Sequence, residues 1–302
     1  MVNQMEGTFG HGKIKMETLP ILGSKKLLIN VHGAYGSIHG GGKYLDFAKS
    51  LYDGENCSVA LYESSRNAQK NAGSYKQRLQ AFEGKTFEDE LEDARRVVLY
   101  YIQNSEELFG VSAEELEITM NGNSLGGIIA LVLANEIPQI TKVSTVGTGL
   151  CLIDKETPLA RTFPQSASLV PRIKNFKGKL VVQHGGDDDV FEKGSFQQLY
   201  DVFSNNQKGL VFLPDVDHTF TKIKGKKSDK PYDQIYRNVR ILVDESRAVG
   251  GTVLLQHEDE LRAAEDSYEE ASAASTREIE ELGLQHRFGK TSSYDEDAIN
   301  NY

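Results

Sequence analysis

Three side-chain types far apart in this 302-residue chain could together carry out acyl transfer: a serine, a histidine and an aspartate. Ser124 lies in Gly122-Asn123-Ser124-Leu125-Gly126, between Leu116-Glu117-Ile118-Thr119-Met120 and the apolar run Gly127 to Ala134, which stops before Pro138. The alternating first run predicts a strand and the second a buried helix. A serine at so tight a strand-to-helix turn is held in a strained conformation. The close approach of strand to helix demands glycine on either side, and the hydroxyl is left above the sheet. The helix N-terminus favours negative charge beside it. The plainer alternative is a glycine-rich turn with an idle serine.

Serine is a poor nucleophile near neutral pH; it needs a base, and the base an orienting acid. His218, in Pro214-Asp215-Val216-Asp217-His218-Thr219-Phe220, follows the last strand-like run, although as one of seven histidines it could be a surface-loop residue. Asp187, Asp188 and Asp189 follow His184-Gly185-Gly186 at the end of the preceding strand. They offer a triad acid, a cation site or a solvated turn. A calcium or magnesium site needs several more oxygen ligands at defined spacings, and the neighbouring sequence supplies none. No metal and no cofactor is expected.

These residues must be positioned by alternating strands and helices. Residues 7–19 could form two short strands. Leu27-Leu28-Ile29-Asn30-Val31 predicts a buried strand ending in His32-Gly33, followed by a glycine-rich loop to Gly42 and a helix over 43–52. A strand over 58–62 precedes the polar, irregular stretch 63–85. Thr86 with Asp89 reads as a helix start, and Phe87, Leu91, Ala94, Val98 and Tyr101 mark its buried face. Further strands are expected over 140–146, 180–184 and 210–213, with helices over 196–204 and 231–247. Strands separated by helices of this length imply a mostly parallel sheet covered on both faces, an α/β fold. Residues 150–178, with three prolines, break the alternation and read as a lid insertion over the carboxyl edge of the sheet.

Over residues 7–247 the chain resembles the α/β-hydrolase superfamily, in the order Ser124, acid, His218, in the elbow Gly122–Gly126 and in the His32-Gly33 loop after an early strand. In that family the acid commonly follows a His-Gly-x-x-Asp run. The match to His184-Gly185-Gly186-Asp187-Asp188 favours Asp188, with Asp187 remaining an alternative. The resemblance also implies an oxyanion hole built from the backbone N–H groups of Leu125 and Ala34. Tyr35, next along, could line the acyl pocket or lend its hydroxyl, or it could simply pack. His39-Gly40-Gly41-Gly42 is similar to the oxyanion motif of hormone-sensitive-lipase-like esterases, but lies several residues past the strand end and is read as loop. The resemblance implies a serine hydrolase cleaving an ester or related acyl bond of a small or medium substrate. A peptidase or amidase on the same scaffold, or an idle fold serving as a binding protein, are the alternatives.

Charge divides the chain in two. Of its 44 acidic and 34 basic residues, 15 and 5 lie between Asp244 and Tyr302, leaving 29 of each sign in the first 243. The expected organisation is a catalytic domain over 1–247 and an acidic, helical and partly disordered tail over 248–302. Leu254, Leu261, Tyr268 and Leu282 recur at sevenfold spacing, a stripe that could bind a protein partner or mediate self-association. No basic patch interleaved with aromatics argues for nucleic acid, and no apolar run is long enough for a membrane span. Without a secretion signal at the N-terminus, and with Cys57 and Cys151 read as buried thiols, the expected location is the cytoplasm.

Overall fold

The computed structural model describes residues 1–10, 12–39, 43–67, 75–204 and 207–244, with the side chains of Gly54, Glu55, Tyr75 and Arg78 excepted. The acidic stretch and its sevenfold stripe lie outside these residues, as do Gly40, Gly41 and Gly42.

Ten strands alternate with eight helices among the described residues. The strands are β1 (Val2–Glu6), β2 (Lys13–Leu19), β3 (Lys26–Val31), β4 (Ser58–Glu63), β5 (Glu117–Asn123), β6 (Ile140–Val146), β7 (Lys179–Asp187), β8 (Lys208–Asp217), β9 (Lys222–Ile223) and β10 (Lys226–Lys227). The helices are α1 (Lys43–Glu55), α2 (Tyr75–Ala81), α3 (Phe87–Gln103), α4 (Ser105–Phe109), α5 (Leu125–Glu136), α6 (Ser166–Ile173), α7 (Ser195–Asp201) and α8 (Lys230–Val243). All strands join one sheet in the order β1-β2-β4-β3-β5-β6-β7-β8-β9-β10. β3 to β8 run parallel, with antiparallel pairs at both margins.

The pleat sends alternate side chains to two cores. Leu27, Ile29 and Val31 of β3 pack with α3, α5 and α6 on one face, and Leu28 packs with α1 and α8 on the other. α5 is apolar on every side, and Leu125 to Ala134 are all buried, as expected of a helix lying under the sheet centre. α3 begins with the expected capping box: Thr86 and Asp89 satisfy each other's backbone N–H groups.

Several elements differ from the sequence reading. The first strand is Val2–Glu6, and Gly7 N donates to the Gly12 carbonyl where the chain enters β2. The irregular stretch 63–85 contains α2, and the 150–178 insertion contains a 3₁₀ turn, Ala160–Thr162, and α6. β8 runs on to Asp217 and is followed by the β9–β10 hairpin. The parallel strands share one carboxyl edge, and there β3, β5, β7 and β8 deliver His32, Ser124, Asp188 and His218.

Candidate active site

Ser124 joins β5 to α5 at φ 53° and ψ −122°, a conformation that costs a β-carbon-bearing residue on the order of 1–3 kcal/mol. Its N–H donates to the Val146 carbonyl at 2.7 Å, and its own carbonyl accepts from Gly127 N at 2.9 Å and Thr148 Oγ1 at 2.9 Å. The backbone is therefore tied down while the side chain is spared from capping the helix. The flanking glycines are sterically required. A β-carbon on Gly122 would lie 2.3 Å from the Gly126 carbonyl oxygen, and one on Gly126 2.5 Å from that of His32.

His218 Nε2 stands 3.0 Å from Ser124 Oγ, and its Nδ1 2.7 Å from Asp188 Oδ2. With the carboxylate accepting from Nδ1–H, Nε2 keeps its lone pair toward the serine hydroxyl. The loop bearing the imidazole is closed by Asp217, whose carboxylate accepts from Thr221 N at 3.0 Å, Lys222 N at 3.1 Å and Thr219 Oγ1 at 2.7 Å. Gly147, at φ 56°, lets this loop settle on the sheet, since its β-carbon would meet the Phe220 ring at 3.1 Å and the His218 carbonyl at 3.2 Å.

Asp188 Oδ1 accepts from the N–H groups of Val190 at 2.9 Å and Phe191 at 3.1 Å. Burial opposes its charge, but the hydrogen bond and charge of His218 and the Val190 N–H outweigh that, holding the carboxyl below the usual range. Asp187 points elsewhere. Though the residue is largely exposed, partial desolvation of its carboxylate, together with the charges of Asp215 and Asp217, raises its pKa. Of the three adjacent aspartates, it is Asp188 that meets His218.

The Gly33–Gly36 turn crosses above the elbow, and a β-carbon on Gly33 would lie 3.1 Å from that of Ser124. Gly36 N donates back to the Gly33 carbonyl at 3.0 Å, and Tyr35 takes φ 60°. Ala34 lies within this turn, directly after Gly33, and Leu125, the first residue of α5, directly follows the serine. The Tyr35 ring packs edge-on to Phe82 at 5.3 Å, and its hydroxyl accepts from Leu159 N at 3.2 Å. Tyr35 thus ties the turn to the 150–178 insertion. His39 lies apart, paired through Nε2 with Glu17 at 2.7 Å. Arg66, a candidate anion contact by residue type, is engaged by Glu63 at 3.2 Å and the Gly36 carbonyl at 3.2 Å.

Sequence reasoning gave no role to His184. It is buried, stacks on Phe196 at 4.3 Å, and sets Nδ1 3.9 Å from Asp188 Oδ2 with no hydrogen-bond partner. Burial pushes its pKa down to about 4, against the pull of Asp188. Its place in the His-Gly-x-x-Asp run was the available signal. Among the described residues no group of three or more His, Cys, Asp or Glu could hold a metal ion.

No protein-family model and no curated protein sequence matches the chain. Solved structures do. A soluble variant of monoglyceride lipase from Saccharomyces cerevisiae, in complex with a substrate analog, superposes with a TM-score of 0.60 at 14% identity, covering 83% of this chain and 96% of that one. A dienelactone hydrolase from Anabaena variabilis gives 0.55 at 15% identity, over 80% of this chain and 96% of that one. An esterase of Pyrococcus furiosus gives 0.56 at 16% identity, over 80% and 89%. The chain has the α/β-hydrolase fold, and lipases, esterases and other hydrolases are its structural neighbours.

Proposed function

We propose that the protein is a serine hydrolase that cleaves an ester or related acyl bond through an acyl-enzyme. The observation carrying this reading is the continuous hydrogen-bond chain from Ser124 Oγ through His218 to Asp188, set at the carboxyl edge of the sheet. Neighbours named as lipases and esterases support it.

In the first step His218 Nε2 takes the proton of Ser124 as its oxygen attacks the carbonyl carbon. Asp188 fixes the imidazole tautomer and stabilises its charged form without taking the proton itself. The negative charge that grows on the substrate oxygen is met by the N–H groups of Leu125 and Ala34. Loss of one such donor typically costs ~3 kcal/mol in the barrier. The imidazolium then protonates the leaving group, and water releases the acyl group from Ser124 by the reverse proton path. Tyr35 borders the acyl side, where its hydroxyl holds the insertion at Leu159.

Ser124→Ala should abolish turnover of p-nitrophenyl acetate and butyrate while leaving circular dichroism and thermal midpoint near wild type. Retention of more than a few per cent of the wild-type rate would reject the assignment.

A further inference from the structure

Three buried charged side chains take no part in this chemistry. Lys85 Nζ sits 3.0 Å from Asp93 Oδ2, 3.2 Å from Glu90 Oε1 and 2.5 Å from the Ser65 carbonyl. The side chains of all three are at most 2% exposed. Such a cluster is a poor device for stability alone. Removing charges from water costs several kcal/mol per ion, and well-packed apolar residues of the same volume often serve as well or better. What apolar residues cannot supply is directional hydrogen bonding to a particular stretch of backbone.

That stretch is Ser64–Ser65, just beyond β4. Ser64 Oγ donates to Glu90 Oε1 at 2.9 Å, and Ser65 donates to Asp93 Oδ2 through its N–H at 2.8 Å and its hydroxyl at 2.6 Å. Asp93 Oδ1 accepts from Thr8 N and Thr8 Oγ1, each at 2.9 Å, bringing the β1–β2 turn into the same knot. Burial works against ionised Asp93, but the Lys85 charge and these hydrogen bonds prevail and lower its pKa.

From this anchored stretch two bonds lead to the Gly33–Gly36 turn. Ser64 N–H donates to His32 Nε2 at 3.2 Å, which leaves the proton on Nδ1, where it donates to the Gly33 carbonyl at 2.8 Å. Arg66, two residues past Ser64, donates to the Gly36 carbonyl at the other end of the turn. Both ends are thus held from residues 64–66, and Ala34 lies between them.

We propose that the Lys85–Glu90–Asp93 cluster positions the oxyanion turn, acting through Ser64 and His32 to fix the direction of the Ala34 N–H. These are positioning residues; none touches the reacting atoms. The inference rests on Ala34 as an oxyanion donor in the proposed hydrolysis, so its test includes a readout that requires no turnover.

Ser64→Ala removes the hydroxyl that grips Glu90 while keeping the N–H that His32 needs. In the full chain, amide hydrogen exchange of peptides spanning 32–38 should rise about tenfold, with α5 peptides unchanged. kcat for a short-chain ester should fall 5- to 20-fold with KM within twofold. Inhibition by a trifluoromethyl ketone, whose hemiketal oxyanion uses the same hole, should weaken by the same factor as kcat. Glu90→Gln keeps an acceptor for Ser64 and should recover most of the rate, whereas Glu90→Leu should behave like Ser64→Ala. Unchanged exchange over 32–38 in folded Ser64→Ala and Glu90→Leu would overturn the proposal, as would kcat and ketone inhibition within twofold of wild type. An inactive wild type whose turn still loosens in Ser64→Ala would instead count against the hydrolase reading and leave the positioning role standing.

Discussion

At the scale of single residues, the choice between adjacent aspartates illustrates how environment assigns roles to identical side chains. Asp188 is buried and receives His218 together with two backbone N–H groups; Asp187 is exposed and faces two other carboxylates. Asp188→Asn should therefore lower kcat/KM on an ester by roughly 10³–10⁴, the loss expected when the imidazole is left in the wrong tautomer. Asp187→Asn should stay within about threefold. Equal losses would point to a shared role. His184 adds a pH effect on stability. Its pKa falls from 6.5 unfolded to about 4 folded, so below pH 6.5 the unfolded chain takes up a proton that the folded chain refuses. Stability should drop as pH falls from about 6.5 to 4, by roughly 3 kcal/mol from this group, and stay level above pH 7. Buried His32, also lowered by burial, acts in the same direction. Urea unfolding of His184→Gln against wild type at pH 4.5 and 7.5 measures this: the variant should show a shallower acid loss, and parallel profiles would exclude it.

At the scale of elements, the elbow shows a local rule and the global fold agreeing. The strand–turn–helix pattern was legible because the first flanking run alternates as a strand does and the second is continuously apolar; in the structure both close glycines face backbone rather than flexible side chains. Gly122→Ala drives a β-carbon against the Gly126 carbonyl oxygen, which no rotamer can relieve. It should cost more than about 3 kcal/mol in urea unfolding, within the range for overpacked or strained cores. A midpoint equal to wild type would mean that the elbow is looser than these distances imply. Elements read less well where their signal is short or mixed. α6 carries Pro171, and the two-residue strands of the β9–β10 hairpin are lysine-rich. β8 continues through Pro214, where a sequence reading stops, because its register shifts beside Gly185 and pairing resumes at Asp187 and Asp217.

On the scale of the whole molecule, the sheet order brings together segments that the sequence keeps far apart: Ser124 and His218 are separated by 94 positions. Each end of that contact was legible, because Ser124, Asp188 and His218 each follow a recognisable strand. The support beneath the Gly33–Gly36 turn was not. The sequence reading assigns no role to Lys85, Glu90 or Asp93; it is tertiary packing that buries them against Ser64 and Ser65. No described helix is long and apolar enough to cross a membrane, and the residues that form the site and both cores fall at or before Val243. The account as a whole depends on His218 raising the nucleophilicity of Ser124. The direct measurement is reaction of the full chain with a fluorophosphonate probe, followed by peptide mapping of the adduct. Wild type should be labelled stoichiometrically at Ser124, and His218→Ala should react at least a hundredfold more slowly. A folded wild type that stays unlabelled under conditions that modify a known serine esterase, or one labelled at a different residue, would contradict it.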